Sequence, residues 1–83
     1  MSMTHYLEES NYWRSNDLSL CAAILLGRPL EAIDKTDRRK AEFIFRRDDE
    51  LDGFIERFWR GEVQVEPRRY FNALREIKAR LYS

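Results

Sequence analysis

Nine consecutive residues, Leu18 to Leu26, are apolar apart from Ser19, in a chain of only 83. Ser15, Asn16 and Asp17 precede them, and all three are good helix N-caps. Gly27 follows at a position that suits a helix C-terminus, and Pro29 prevents continuation. The stretch therefore reads as a short helix. With apolar residues on nearly every side, it must be covered on most of them. It is also far too short to span a membrane.

A chain of this length buries only about 60% of the surface that its unfolded form exposes. It reads as one domain, residues 11–83, after a loosely ordered N-terminus, 1–10. Large side chains must then build the small core. Five Phe, four Tyr and two Trp are present for that purpose. A dimer would help, but folding alone is plausible. No apolar core of signal-peptide length occurs in Met1 to Glu9, so the expected location is cytoplasmic.

The remaining elements follow from period and punctuation. Asn11 to Arg14 is compatible with an edge strand. Leu30 to Lys35 and Lys40 to Arg46 read as two strands of a hairpin, joined by the polar turn Thr36-Asp37-Arg38. In the second strand Ala41, Phe43 and Phe45 share one face, while Glu42, Ile44 and Arg46 share the other. Asp48 or Asp49 caps a second helix whose Leu51, Phe54, Ile55 and Phe58 recur at i, i+3, i+4 and i+7. Acids crowd its first turn, Arg57 and Arg60 occupy its last, and Gly61 stops it. Val63 and Val65 alternate with Gln64 as a very short strand or an extended linker. Glu66 then caps, and Pro67 opens, a third helix. The expected fold is α+β: a small antiparallel sheet, with the hairpin 30–46, packed by three helices in the order β-α-β-β-α-(β)-α.

The third helix, Pro67 to Tyr82, anchors itself through Tyr70, Leu74, Ile77 and Leu81. It carries five basic residues, Arg68, Arg69, Arg75, Lys78 and Arg80, against the single acid Glu76. Residues 67–83 thus hold a charge of +4 in a chain whose total is zero. Electrostatic interest is local, and a whole-surface nucleic-acid coat is not expected.

Taken together, these segments resemble a small bacterial and viral family catalogued only as a domain of unknown function. The likeness covers about residues 12–82. It is carried by Ser15-Asn16-Asp17-Leu18 leading into Ala22-Ala23-Ile24-Leu25, then Gly27-Arg28-Pro29-Leu30 and Glu42-Phe43-Ile44-Phe45. Its strongest part is Phe58-Trp59-Arg60-Gly61 with Val65-Glu66-Pro67-Arg68-Arg69-Tyr70, followed by Leu74-Arg75 and Lys78. The resemblance supports this layout and a prokaryotic or phage origin. It implies no activity.

Chemical motifs add little. Asp48-x-Glu50-x-Asp52-Gly53 imitates the start of a calcium loop, but its twelfth position is Trp59, where a bidentate Glu is needed. Helix capping accounts for those acids. Asp34 and Asp37 read as turn residues rather than an acid–base pair. Cys21, alone in an apolar helix, reads as a buried hydrophobe. His5, the only histidine, has no base or nucleophile near it in sequence. No enzyme, metal or cofactor is expected.

Three basic clusters remain: Arg38-Arg39-Lys40, Arg46-Arg47 and Arg68-Arg69. The first two lie about 20 Å apart along one strand, so they need not form one patch. Interleaving with Phe43, Phe45 and Tyr70 invites a nucleic-acid reading, because bases stack on aromatic rings. Lys40 to Phe45 nevertheless matches an RNA-recognition strand poorly, with an acid among its aromatics. Trp59 is expected to pack in the core or between helices. If exposed, it would instead anchor an interface beside Arg57 or Arg60. The candidate partner-binding residues are Trp59, Arg60, Arg68, Arg69, Arg75, Lys78 and Arg80. The expected partner is another protein, with nucleic acid as the alternative and a homodimer possible.

Overall fold

The computed structural model describes residues 11–37 and 39–83. The expectations for Met1 to Ser10, including His5, and for Arg38 lie outside the described residues. The element order is β1 (Tyr12–Ser15), α1 (Leu18–Leu25), β2 (Ala32–Asp34), β3 (Glu42–Arg46), α2 (Asp49–Trp59) and α3 (Pro67–Leu81). This is the expected α+β class. The hairpin strands are shorter than 30–35 and 40–46, and residues 62–66 connect α2 to α3 without joining a ladder.

β3 is the central strand, in the order β1-β3-β2, and both pairings are antiparallel. The register sets Trp13 opposite Phe45, and Ser15 and Ile33 on either side of Phe43. Because strand side chains alternate, these residues share one face. Phe43 and Phe45 are fully buried on it, and Trp13 tilts toward Phe45 with ring centroids 6.4 Å apart. The opposite face carries Arg14, Asp34, Glu42 and Arg46. Arg14 Nη2 lies 3.1 Å from Asp34 and its Nη1 3.4 Å from Glu42, which ties the two edge strands across β3.

α1 lies against the inner face and is the most buried helix. Leu20, Cys21, Ala22, Ala23 and Ile24 are all buried. Asp17 caps it, accepting from the Leu20 amide at 3.1 Å and from the Ser19 hydroxyl at 2.8 Å. At the other end the amides of Gly27 and Arg28 both donate to the Ile24 carbonyl. Arg28 then reaches across to the next segment. Its Nη1 donates to the Arg46 carbonyl and its Nη2 to Asp48, both at 2.8 Å.

α2 begins at Asp48, which accepts from the Leu51 amide at 2.8 Å. Leu51 is fully buried, while Phe54, Ile55 and Phe58 pack partly buried against the core. The helix ends in a Schellman arrangement: the Gly61 amide donates to Phe58 O at 3.0 Å and the Glu62 amide to Arg57 O at 2.9 Å. Gly61 has φ +74°, a left-handed conformation that L side chains rarely adopt.

Gly61 and Gly27 provide an internal comparison. An added Cβ meets nothing within 4 Å at either position, yet only Gly61 has positive φ. Gly61→Ala should therefore cost about 1–2 kcal/mol through backbone strain alone. Gly27→Ala should be neutral or stabilise by up to about 1 kcal/mol, by restricting the unfolded chain. Urea midpoints of the two variants check this.

Candidate functional site

α3 is built to attach on one side only. Glu66 accepts from the Arg69 amide at 2.8 Å and the Arg68 amide at 3.2 Å, and Pro67 starts the helix. Tyr70, Leu74 and Leu81 pack partly buried against the core, and Ile77 is fully buried. Ala73 joins them as a buried residue absent from the expected stripe. Most of this stripe meets α1, and polar contacts reinforce it. The Tyr70 hydroxyl donates to Ser19 O at 3.1 Å, and Arg69 Nη2 donates to Leu26 O at 3.4 Å. Burial and the nearby Asp17 charge push the Tyr70 phenol up from its ordinary value of 10.0.

The five cations of α3 do not form one face. With about 100° between successive residues, Arg69, Glu76 and Arg80 fall on one flank of the buried stripe. Arg69 is committed to α1, and Arg80 Nη2 pairs with Glu76 at 3.1 Å. Arg68, Arg75 and Lys78 fall on the other flank. Among the described residues none of these three has an ion pair. On the same flank stand Tyr82, whose position one turn beyond Lys78 suits the rim of that surface, and Phe71, which the sequence reading does not include. Phe71 is 58% exposed and Tyr82 83%. The Arg75 guanidinium lies 5.8 Å from the Phe71 ring centroid, a cation–π contact.

Trp59 corrects the expectation of core or helix packing. It is 63% exposed, because it lies just outside the stripe formed by Leu51, Phe54, Ile55 and Phe58. It leans edge-on against Phe58, with centroids 5.3 Å apart and planes at 85°. Arg60 pairs loosely with Glu56 at 3.8 Å. Among the described residues no hydrogen bond, ion pair or ring contact joins Trp59 or Arg60 to α3. The seven expected residues thus divide into Trp59 and Arg60 on α2, Arg69 and Arg80 on the compensated flank of α3, and Arg68, Arg75 and Lys78 on the uncompensated one.

The other polar motifs serve local structure. Asp48 accepts both from the Leu51 amide and from Arg28, and Asp52 pairs with Arg47 at 3.1 Å. The carboxylates of the calcium-like run are thereby turned to capping and ion pairing. Asp34 and Asp37 accept from the Thr36 and Arg39 amides at 2.9 Å, which is turn chemistry. Phe43 and Phe45 are in the core, so they are closed to nucleobases. The Cys21 thiol donates to Ser15 O at 3.8 Å, and burial pushes it up to about 12. A groove of about 260 Å³ opens between α1 and α2, with Ile24, Leu51 and Phe54 along it and Arg28, Glu50 and Arg57 at its rim.

Three carboxyls report on the fold as acids. The Leu20 amide and Ser19 hydroxyl lower Asp17, Thr36 lowers Asp34 with help from Arg14, and Arg28 with the Leu51 amide lowers Asp48. A folded carboxyl held below its ordinary value of 3.8 stabilises fully above that pH. It loses that contribution as pH falls through the lower folded value. Acid titration followed by circular dichroism should therefore show these contributions lost only below pH 3.8. Asp48→Asn should make the loss shallower.

The chain belongs to the family described as Domain of unknown function (DUF5659), which matches residues 10–83. No curated protein and no solved structure matches it.

Proposed function

With membership of that family as the premise, we propose that this chain is a non-catalytic protein-interaction or regulatory module of bacterial or phage origin. The observation that carries this reading is the uncompensated flank of α3. The helix is fastened to α1 by one stripe. Beside that stripe it displays Phe71 and Tyr82 among Arg68, Arg75 and Lys78. Exposed aromatics next to arginine are the side chains that interfaces favour. Trp59 with Arg60 provides a second, smaller exposed group of the same kind. The buried, protonated thiol of Cys21 suits structure rather than catalysis. No helix among the described residues is long and apolar enough to cross a membrane. We place the protein in the cytoplasm, acting alone or as a homodimer.

A second reading, a nucleic-acid-binding accessory, draws on the same three uncompensated cations. It predicts affinity that falls steeply with salt. Three phosphate contacts would give a log–log slope of about −2 for a single strand and about −3 for duplex DNA.

One experiment separates the two. The purified chain is used as bait in a host lysate, with and without nuclease, beside the variant carrying Arg68→Glu and Arg75→Glu. The interaction reading expects a defined protein that survives nuclease and is lost from the variant. Recovery of nucleic acid, with proteins lost on nuclease treatment, would replace it with the second reading. Equal capture by variant and wild type would remove α3 from either.

A further inference from the structure

We infer that the partner lays an acidic helical segment along the flank of α3 formed by Arg68, Phe71, Arg75, Lys78 and Tyr82. This rests on the reading of the chain as a protein-interaction module and names the chemistry of its partner.

Spacing is the first argument. The five residues are separated by three, four, three and four positions, the alternation that keeps one seam facing a second helix. They run about 21 Å along the axis, close to the length of an average helix. The core stripe through Tyr70, Ala73, Leu74, Ile77 and Leu81 is already covered, so this seam is a separate face of the same helix. All five of its residues are exposed.

Charge is the second. The seam carries three cations and no acid. Glu76 belongs to the other flank, where Arg80 holds it at 3.1 Å. An acidic helix would meet Arg68, Arg75 and Lys78 with carboxylates, and charge complementarity of this kind steers encounter and fixes register. Phe71 and Tyr82 lie three turns apart. They call for two apolar side chains at matching spacing on the partner, with acids between them. Arg75 over the Phe71 ring holds a guanidinium in place beside that anchor.

The same facts weigh against the other occupants. A second copy seated by the same flank would set cations against cations. A nucleic-acid strand continuing past Arg68 would meet Glu66 at the helix cap and Glu62 before it. One face of Phe71, moreover, is taken up by Arg75 rather than open for a base.

The test uses the intact chain and two fluorescein-labelled amphipathic peptides of about eighteen residues. One carries Glu at its polar seam positions and the other Gln, with Leu at the anchor positions of both. Anisotropy titrations at about 50 mM salt, where charge effects are large, should show the Glu peptide binding at least about tenfold tighter than the Gln peptide. Phe71→Ala and Arg75→Ala should each weaken the Glu peptide by about tenfold, as anchor truncations do. Arg80→Ala, on the opposite flank, should leave it unchanged. Absence of binding by the Glu peptide, equal binding of both peptides, or an equal loss from Arg80→Ala would overturn the inference. An oligonucleotide of equal charge that binds more tightly and depends on Phe71 would also overturn it, in favour of nucleic acid. Should the peptides fail while a nuclease-resistant protein is still captured through α3, the acidic helix is wrong and the interaction module stands.

Discussion

Covering α1 is the constraint on which the rest of the structure depends. Every residue from Leu20 to Ile24 is buried, and the helix offers no polar side to water over that stretch. It must be enclosed from several directions at once. The sheet closes one side with Phe43 and Phe45, α3 closes another with Ala73 and Ile77, and α2 contributes Leu51. Each surrounding element needs only one apolar face for this task, which is why the alternation in β3 and the stripes of α2 and α3 are so regular. Apolar burial of this kind dominates the stability of so small a core. Surface ion pairs such as those of Arg14 add little to it.

That arrangement determines what α3 has left to offer. One stripe is spent on α1, and Arg69 and Tyr70 strengthen the same attachment with bonds to Leu26 and Ser19 carbonyls. On the adjoining flank Glu76 pairs with Arg80, and Arg69 is turned to the Leu26 carbonyl. What remains is a seam of cations and exposed rings that contributes nothing visible to the core. A phenylalanine left 58% exposed on a helix whose other large apolar residues pack against the core has little structural purpose. Binding gives it one.

Much of the fold was legible because it depends on local rules. Asp17, Asp48, Glu66 with Pro67, and Gly61 mark helix ends by chemistry that acts within a few residues. Period two in β3 and the i, i+3, i+4 stripes of α2 and α3 reveal the buried faces. Non-local facts were not legible. Nothing local states that β3 lies between β1 and β2, or that Arg28 reaches Asp48 twenty residues on. Ala73 is too small to register in a count of large apolar residues, yet close helix approach buries it. Trp59 stands at the edge of the α2 stripe, where sequence leaves core packing and exposure both open, and the helix rotates it outward. Counting charges along α3 overlooked Phe71. The three–four spacing from Arg68 to Tyr82 was the signal that could have found it.

A partner-binding role for this flank of α3 requires Phe71 to belong to the surface rather than the core. The most direct test is the urea unfolding of Phe71→Ser. An unfolding free energy within about 0.5 kcal/mol of wild type is predicted, as for other surface substitutions. A loss of about 2 kcal/mol or more, of the size seen when core side chains are truncated, would show that Phe71 holds the fold together and would contradict the assignment of this flank to a partner.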